Sequence, residues 1–211
     1  MTRTAAIKHG YTSGARELAS RSVAPLARTR VTPNGLTASG VLLCAAASVL
    51  VLFENRDQLL FYWLAAFVFV TGSVLDILDG ALARAGGKTT PFGAFIDSTT
   101  DRVSEGFMLT AIAYVLATHH HPVFVAVTVA AVAGSFLVSY TRARAEALGL
   151  RGDVGIGSRA ERVVVITAGL VLAPWGVLPW AIALLAVTAW VTVGQRVLYV
   201  RKQLMEGNAH E

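Results

Sequence analysis

No charged residue occurs between Val163 and Gln195, and the same holds for Gly35–Phe53 and Pro122–Thr141. A helix that crosses a bilayer needs about 20 mostly apolar residues, and inside hydrocarbon a helix satisfies all of its own backbone groups. Gly35–Phe53 and Pro122–Thr141 each read as one span. Val163–Gln195 is too long for one, and Pro174-Trp175-Gly176 with Pro179 divides it into two. Two further runs are polar at one end only. Gln58–Leu75 continues into Asp76, Asp79, Gly80, Ala83 and Arg84. Phe92–Thr118 carries Asp97, Asp101, Arg102 and Glu105 in its first half and is uncharged from Gly106 onward. The expected fold is all-α: a polytopic membrane protein with six transmembrane helices, one domain over 1–211, its bundle at 35–203.

Composition excludes other classes. The chain is 55% apolar and 15% charged, with a mean hydropathy of +0.59, whereas a soluble domain carries about 25% charged residues. Disorder, a nucleic-acid-binding module and a disulfide-stapled secreted domain all fit poorly, and Cys44 has no second cysteine to pair with. The net charge of +5 matters less than its distribution. Of 18 basic residues, six precede the first span, and Arg84, Lys88, Arg142, Arg144, Arg151, Arg159, Arg162, Arg196, Arg201 and Lys202 lie in or beside alternate loops and the C-terminal end. The remaining loops hold only Arg56. Lys and Arg are retained on the cytoplasmic side, so both termini are expected there, with the protein multi-pass in the cell membrane. The amino terminus is too polar for a signal peptide. Residues 1–30 read as a tail and a juxtamembrane segment, in which Gly14–Arg28 forms an interfacial amphipathic helix with Leu18, Val23 and Leu26 among spaced arginines.

An ionisable residue within a membrane helix costs on the order of 3 kcal/mol, and four aspartates fall in two consecutive helices. Asp76 and Asp79 are three apart and Asp97 and Asp101 four apart, so each pair projects from one helical face. Four converging carboxylates need cations to stay ionised, and hard oxygen ligands suit Mg²⁺ or Mn²⁺ rather than zinc. Two bridged ions are the usual arrangement for displacement at phosphorus. Gly80, Ala83 and Gly93 leave room for a bulky substrate, and Arg84 offers a fixed charge for a phosphate oxygen. Taken alone, the acid pairs also admit a divalent-cation transporter, or structural ion pairs with Arg84 and Arg102.

The whole string Asp76-x-x-Asp79-Gly80-x-x-Ala83-Arg84, eight residues, Gly93-x-x-x-Asp97-x-x-x-Asp101 resembles the signature of the CDP-alcohol phosphotransferase family at every position. Thr32-Pro33-Asn34-Gly35-Leu36-Thr37 is similar to the family's segment at the start of the first span. The resemblance implies transfer from a CDP-linked lipid or alcohol to a second hydroxyl compound, with release of CMP. It implies that Asp76, Asp79 and Asp97 bind two divalent ions, Mg²⁺ or Mn²⁺, and that Asp101 is the general base and also touches the second ion. Gly80, Arg84 and Thr90 would contact the CDP portion, and Asn34, Gly35, Leu36 and Thr37 would close over the nucleotide. A homodimer surrounded by membrane lipids is implied too.

The acceptor is read from a second region. Ser139–Glu146, Gly149–Asp153 and Arg159–Arg162 resemble the corresponding stretch of the family's actinobacterial phosphatidylinositol phosphate synthase branch, which implies CDP-diacylglycerol as donor and inositol 1-phosphate as acceptor. Arg142, Arg159 and Arg196 are the candidates for the acceptor phosphate, which carries nearly two negative charges. Arg142 stands where the family is expected to have Lys. Glycerol 3-phosphate, hence a phosphatidylglycerophosphate synthase, is the alternative acceptor, and each arginine has a plain reading in topology and headgroup anchoring. His119-His120-His121 cannot share one helical face and reads as an interfacial loop.

Overall fold

The computed structural model describes residues 33–85 and 89–207, without the side chains of 33, 34, 84, 85 and 207. The expected amphipathic helix at Gly14–Arg28 lies outside the described residues. Those residues form six α-helices and no strand: α1 Pro33–Val51, α2 Gln58–Ala85, α3 Pro91–Thr118, α4 Pro122–Ala147, α5 Arg159–Val171 and α6 Leu178–Gly207, with a 3-10 turn at Ala173–Trp175 between the last two. Local chemistry sets the boundaries. Proline, whose missing N–H is no loss in a first turn, opens α1, α3 and α4. Asp57 Oδ1 accepts the Leu60 amide at 3.0 Å and caps α2, and Thr90 Oγ1 accepts the Gly93 amide at 3.0 Å and caps α3. The last apolar run breaks where expected, at the 3-10 turn and at Gly176, which adopts φ +76°.

Among the described residues, three helices are long and apolar enough to cross a membrane: Gln58–Ala83, Pro122–Ala147 and Leu178–Glu206. The other three differ for identifiable reasons. The first helix stops at Val51 rather than Phe53, its apolar stretch being the shorter Gly35–Val51, and α5 has only 13 residues. Helix α3 is as long as α2, at 28 residues each, but the charges at Asp97, Asp101, Arg102 and Glu105 make its first half polar. Large apolar side chains face outward along the helices, Phe67 and Val123 being 71% exposed. That is the pattern of a lipid-facing surface rather than of a water-soluble one, and the chain is that of a membrane protein.

The chain divides into two compact units. The first takes the chain up to Ala45 with Val68–Glu105, which is the start of α1, the end of α2 and the start of α3. Leu36 of α1 and Leu82 of α2 are buried against Leu75, Leu78 and Ala81. Higher along the same pair, α1 and α2 cross at two glycines. A Cβ on Gly40 would stand 2.9 Å from the Gly72 carbonyl oxygen, and one on Gly72 would stand 2.8 Å from the Gly40 carbonyl oxygen and 2.9 Å from Cys44 Sγ. Backbones this close exclude any side chain, and Asp76 lies one turn beyond the crossing.

The second unit takes Ala46–Phe67 and Gly106–Glu211. Within it α6 packs along α4 and α5, burying Ala131 and Val138 of α4, Ile166 and Leu170 of α5, and Ile182, Leu185 and Ala189 of α6. Trp190 lies over Gly134 and donates from Nε1 to the Ala130 carbonyl at 3.0 Å. Trp63 does the same to Val171 at 3.1 Å.

Candidate metal and phosphate site

Helix α2 carries Asp76 and Asp79, and both are buried. Helix α3 contributes Asp97 and Asp101, half-buried and four residues along its own face. One carboxylate oxygen from each of Asp76, Asp97 and Asp101 lies within 4.8 Å of the others. Asp79 is engaged differently. Its Oδ2 accepts a hydrogen bond from Thr37 Oγ1 of α1, and it remains within electrostatic reach of Asp76 and Asp97. The structure thus gathers three of the four expected acids into one oxygen cluster and fastens the fourth to α1.

A pair of like charges at this spacing repels by about 3.5 kcal/mol at an effective dielectric near 20. Three ionised carboxylates therefore need a counter-charge. The donors are all hard oxygens, with no His or Cys among them, which fits a divalent cation of the Mg²⁺ or Mn²⁺ kind.

Of the residues expected around the nucleotide, Leu36 spends its side chain on the apolar cluster of the first unit. Gly35 is exposed, Gly80 is half-buried on α2, and Thr90 is exposed as the cap of α3. The side chains of Asn34 and Arg84 lie outside the described residues. Thr37 is the member of this group that the structure ties to the acids.

The expected acceptor arginines belong to the second unit. Arg142 is exposed and bonds Glu146 Oε1 from Nε at 2.8 Å. Arg159 opens α5 and is half-buried. Arg196 is buried and donates from Nε to the Val154 carbonyl at 2.9 Å and from Nη1 to the Val138 carbonyl. The charged groups around it are Arg142, Arg162, Glu146 and Asp153. Arg162 is also buried, and donates from Nη1 to the Gly157 carbonyl at 2.9 Å.

One polar pair had no sequence signal. Glu54 is buried just past α1 and accepts from His119 Nε2 at 2.8 Å and from Gln58 Nε2 at 3.2 Å. His119 is 65 positions away, so no local pattern links the two.

The model of the CDP-alcohol phosphatidyltransferase family matches residues 30–197, which include all four aspartates. The chain belongs to this family. It is an enzyme, a CDP-alcohol phosphotransferase of phospholipid biosynthesis. Among curated relatives, the phosphatidylinositol phosphate synthase of Mycolicibacterium smegmatis is 40% identical over 190 residues, covering 86% of this chain and 83% of its own. The archaetidylinositol phosphate synthase of Pyrococcus horikoshii is 37% identical over 183 residues, covering 86% of this chain and 90% of its own. The crystal structure of the Mycobacterium tuberculosis phosphatidylinositol phosphate synthase with CDP-DAG bound superposes with a TM-score of 0.75 at 31% identity, covering 87% of this chain and 94% of that one. A second crystal structure of that protein, in complex with manganese and citrate, gives 0.73 at 33% identity, covering 86% of each chain. A metal-bound relative and the three-carboxylate cluster together support a divalent metal requirement in this enzyme.

Proposed function

We propose that the enzyme transfers the phosphatidyl group of CDP-diacylglycerol to inositol 1-phosphate, releasing CMP and forming phosphatidylinositol phosphate. The carrying observation is the oxygen cluster of Asp76, Asp97 and Asp101 within the string that runs from Asp76 to Asp101. The acceptor is supported by the relatives, whose names share inositol phosphate and differ in the lipid, phosphatidyl in one and archaetidyl in the other.

In this reading Asp76, Asp79, Asp97 and Asp101 hold two Mg²⁺ ions. When bound, these supply positive charge to the pyrophosphate of the donor and to the departing CMP. Asp101 takes the proton of the acceptor hydroxyl as that oxygen bonds to the β-phosphorus and the bond to CMP breaks. Thr37, by donating to Asp79, orients one carboxylate before substrate arrives. Gly80, Arg84 and Thr90 contact the CDP portion, with Asn34, Gly35, Thr37 and the backbone at Leu36 over the nucleotide, the Leu36 side chain being held in the apolar cluster. Arg142, Arg159 and Arg196 receive the acceptor phosphate. A guanidinium has five N–H groups, and among the described residues Arg196 spends Nε and one Nη1 donor on the Val154 and Val138 carbonyls.

The same reading has all six helices in the cell membrane, one domain over 1–211, both termini cytoplasmic and a homodimer. The one-sided distribution of Lys and Arg supports the orientation. Purified enzyme, CDP-diacylglycerol and Mg²⁺ are incubated with inositol 1-phosphate or with glycerol 3-phosphate, and CMP release is followed. Release with inositol 1-phosphate is expected. Release with glycerol 3-phosphate alone overturns the acceptor assignment.

A further inference from the structure

Residues 148–158 join α4 to α5 without helix or strand, and three side chains of α6 bond their backbone in turn. Gln203 accepts the Arg151 amide at 2.9 Å and donates to the Arg151 carbonyl at 2.8 Å. Arg196 donates to the Val154 carbonyl at 2.9 Å. Thr192 Oγ1 accepts the Gly157 amide at 2.9 Å while donating to Thr188 of its own helix at 2.7 Å. Positions 192, 196 and 203 recur at helical spacing, so one stripe of α6 is matched to every third residue of the loop.

The fit at the upper end is close. Thr192 is fully buried. A Cβ on Gly157 would stand 2.9 Å from Thr192 Oγ1, and one on Gly155, where φ is +114°, would collide with Thr192 Cγ2. Arg162 of α5 bonds the Gly157 carbonyl from the other side, so both polar groups of that residue are held. The clamped stretch lies between Arg142, near the end of α4, and Arg159, the first residue of α5. It also touches the first of these directly, because a Cβ on Gly152 would stand 3.1 Å from Arg142 Cα.

We propose that Thr192 and Gln203 are positioning residues for the phosphorylated acceptor: by bonding the 151–157 backbone to α6 they fix Arg142 and Arg159 relative to one another. This rests on the acceptor reading above. Neither side chain touches the acceptor. Their removal therefore weakens acceptor binding while leaving the donor lipid and the chemical step alone.

The test uses the full-length enzyme with inositol 1-phosphate as acceptor. In Thr192→Val and in Gln203→Leu the acceptor KM is expected to rise by up to about tenfold, the equivalent of one ordering hydrogen bond, with kcat and the KM for CDP-diacylglycerol unchanged. Thr192→Ser, which keeps the hydroxyl, restores the acceptor KM. Hydrogen exchange in peptides covering 150–158 is expected to speed up in Thr192→Val and in Gln203→Leu. Should Thr192→Val fail to fold, Gln203→Leu, at a half-buried position near the exposed end of α6, carries both readouts. Unchanged exchange, an unchanged acceptor KM, or an equal rise in both KM values overturns the inference. Arg142→Ala and Arg159→Ala separate it from the reading beneath it. If these leave the acceptor KM unchanged, the acceptor surface itself is wrong and the inference goes with it. If they raise that KM while Thr192→Val and Gln203→Leu do not, the inference alone fails.

Discussion

Gly72→Ala is the substitution that most directly links helix packing to the metal site. The added methyl would stand 2.8 Å from the Gly40 carbonyl oxygen, 2.9 Å from Cys44 Sγ and 3.1 Å from Leu43 Cβ. Two of these are anchored to the α1 backbone and cannot rotate away, so α1 and α2 must separate by roughly half an ångström to restore ordinary contact. Overpacking of this kind costs about 1–3 kcal/mol, against which alanine returns about 1 kcal/mol of helix propensity. The expected net loss is up to about 2 kcal/mol, read as a lowered thermal midpoint in detergent. Activity is expected to fall further than stability alone explains. The hydrogen bond from Thr37 to Asp79 spans the same helix pair, and Asp76 follows Gly72 by one turn. Since a 1 Å misplacement can cost about 100-fold in rate, half of that corresponds to about tenfold in CMP release at saturating substrate. Gly106→Ala is the control, because among the described residues its new methyl meets only Phe136 Cζ at 3.6 Å, an ordinary contact. It is expected to be neutral or stabilising by up to about 1 kcal/mol. Gly72→Ala with unaltered stability and CMP release, indistinguishable from Gly106→Ala, refutes the reasoning.

Asp101→Asn removes the proton acceptor while keeping an oxygen in place, so CMP release should vanish while CDP-diacylglycerol still binds; loss of binding as well means that Asp101 is chiefly a metal ligand. Chelation by EDTA should abolish CMP release, and either Mg²⁺ or Mn²⁺ should restore it; activity that persists through exhaustive chelation rules out the carboxylate cluster as a metal site. His119→Ala leaves the buried Glu54 carboxylate with Gln58 as its remaining side-chain hydrogen-bond donor and should cost about 1–3 kcal/mol of stability, with turnover per folded molecule unchanged. An unaltered melting midpoint there shows that the pair contributes nothing to folding.

What was legible in the sequence is what repeats locally. Apolar runs and prolines located the six helices of the described residues, since both act within a few residues of where they stand, and Gly176 marked the break in the last run for the same reason. The acids were legible because a charge in an apolar run stands out at once, and spacings of three and four place each pair on one helical face. What could not be read was which acids share an oxygen cluster. Asp79 is as well spaced as Asp76, yet it meets a hydroxyl of α1, and that depends on how two helices cross rather than on the register within either. The crossing is set by Gly40 and Gly72, which in the sequence are two unremarked small residues among many.

The same limit explains the loop clamp and the Glu54–His119 pair. Thr192 lies in a run read only as apolar, and its hydroxyl gains a role from Gly157, 35 positions earlier. Gln203 and Arg151 are 52 positions apart. A neutral side chain that bonds backbone tens of residues away leaves no local signal in the sequence, so only the assembled helices show it. Charge scarcity is thus informative where the active group is itself charged, as with the aspartates. It is blind where the group is a neutral hydroxyl or amide bonded to backbone. By that argument, residues that orient the site without touching substrate are to be sought among the uncharged polar side chains buried in the apolar helices, with Thr192 the first.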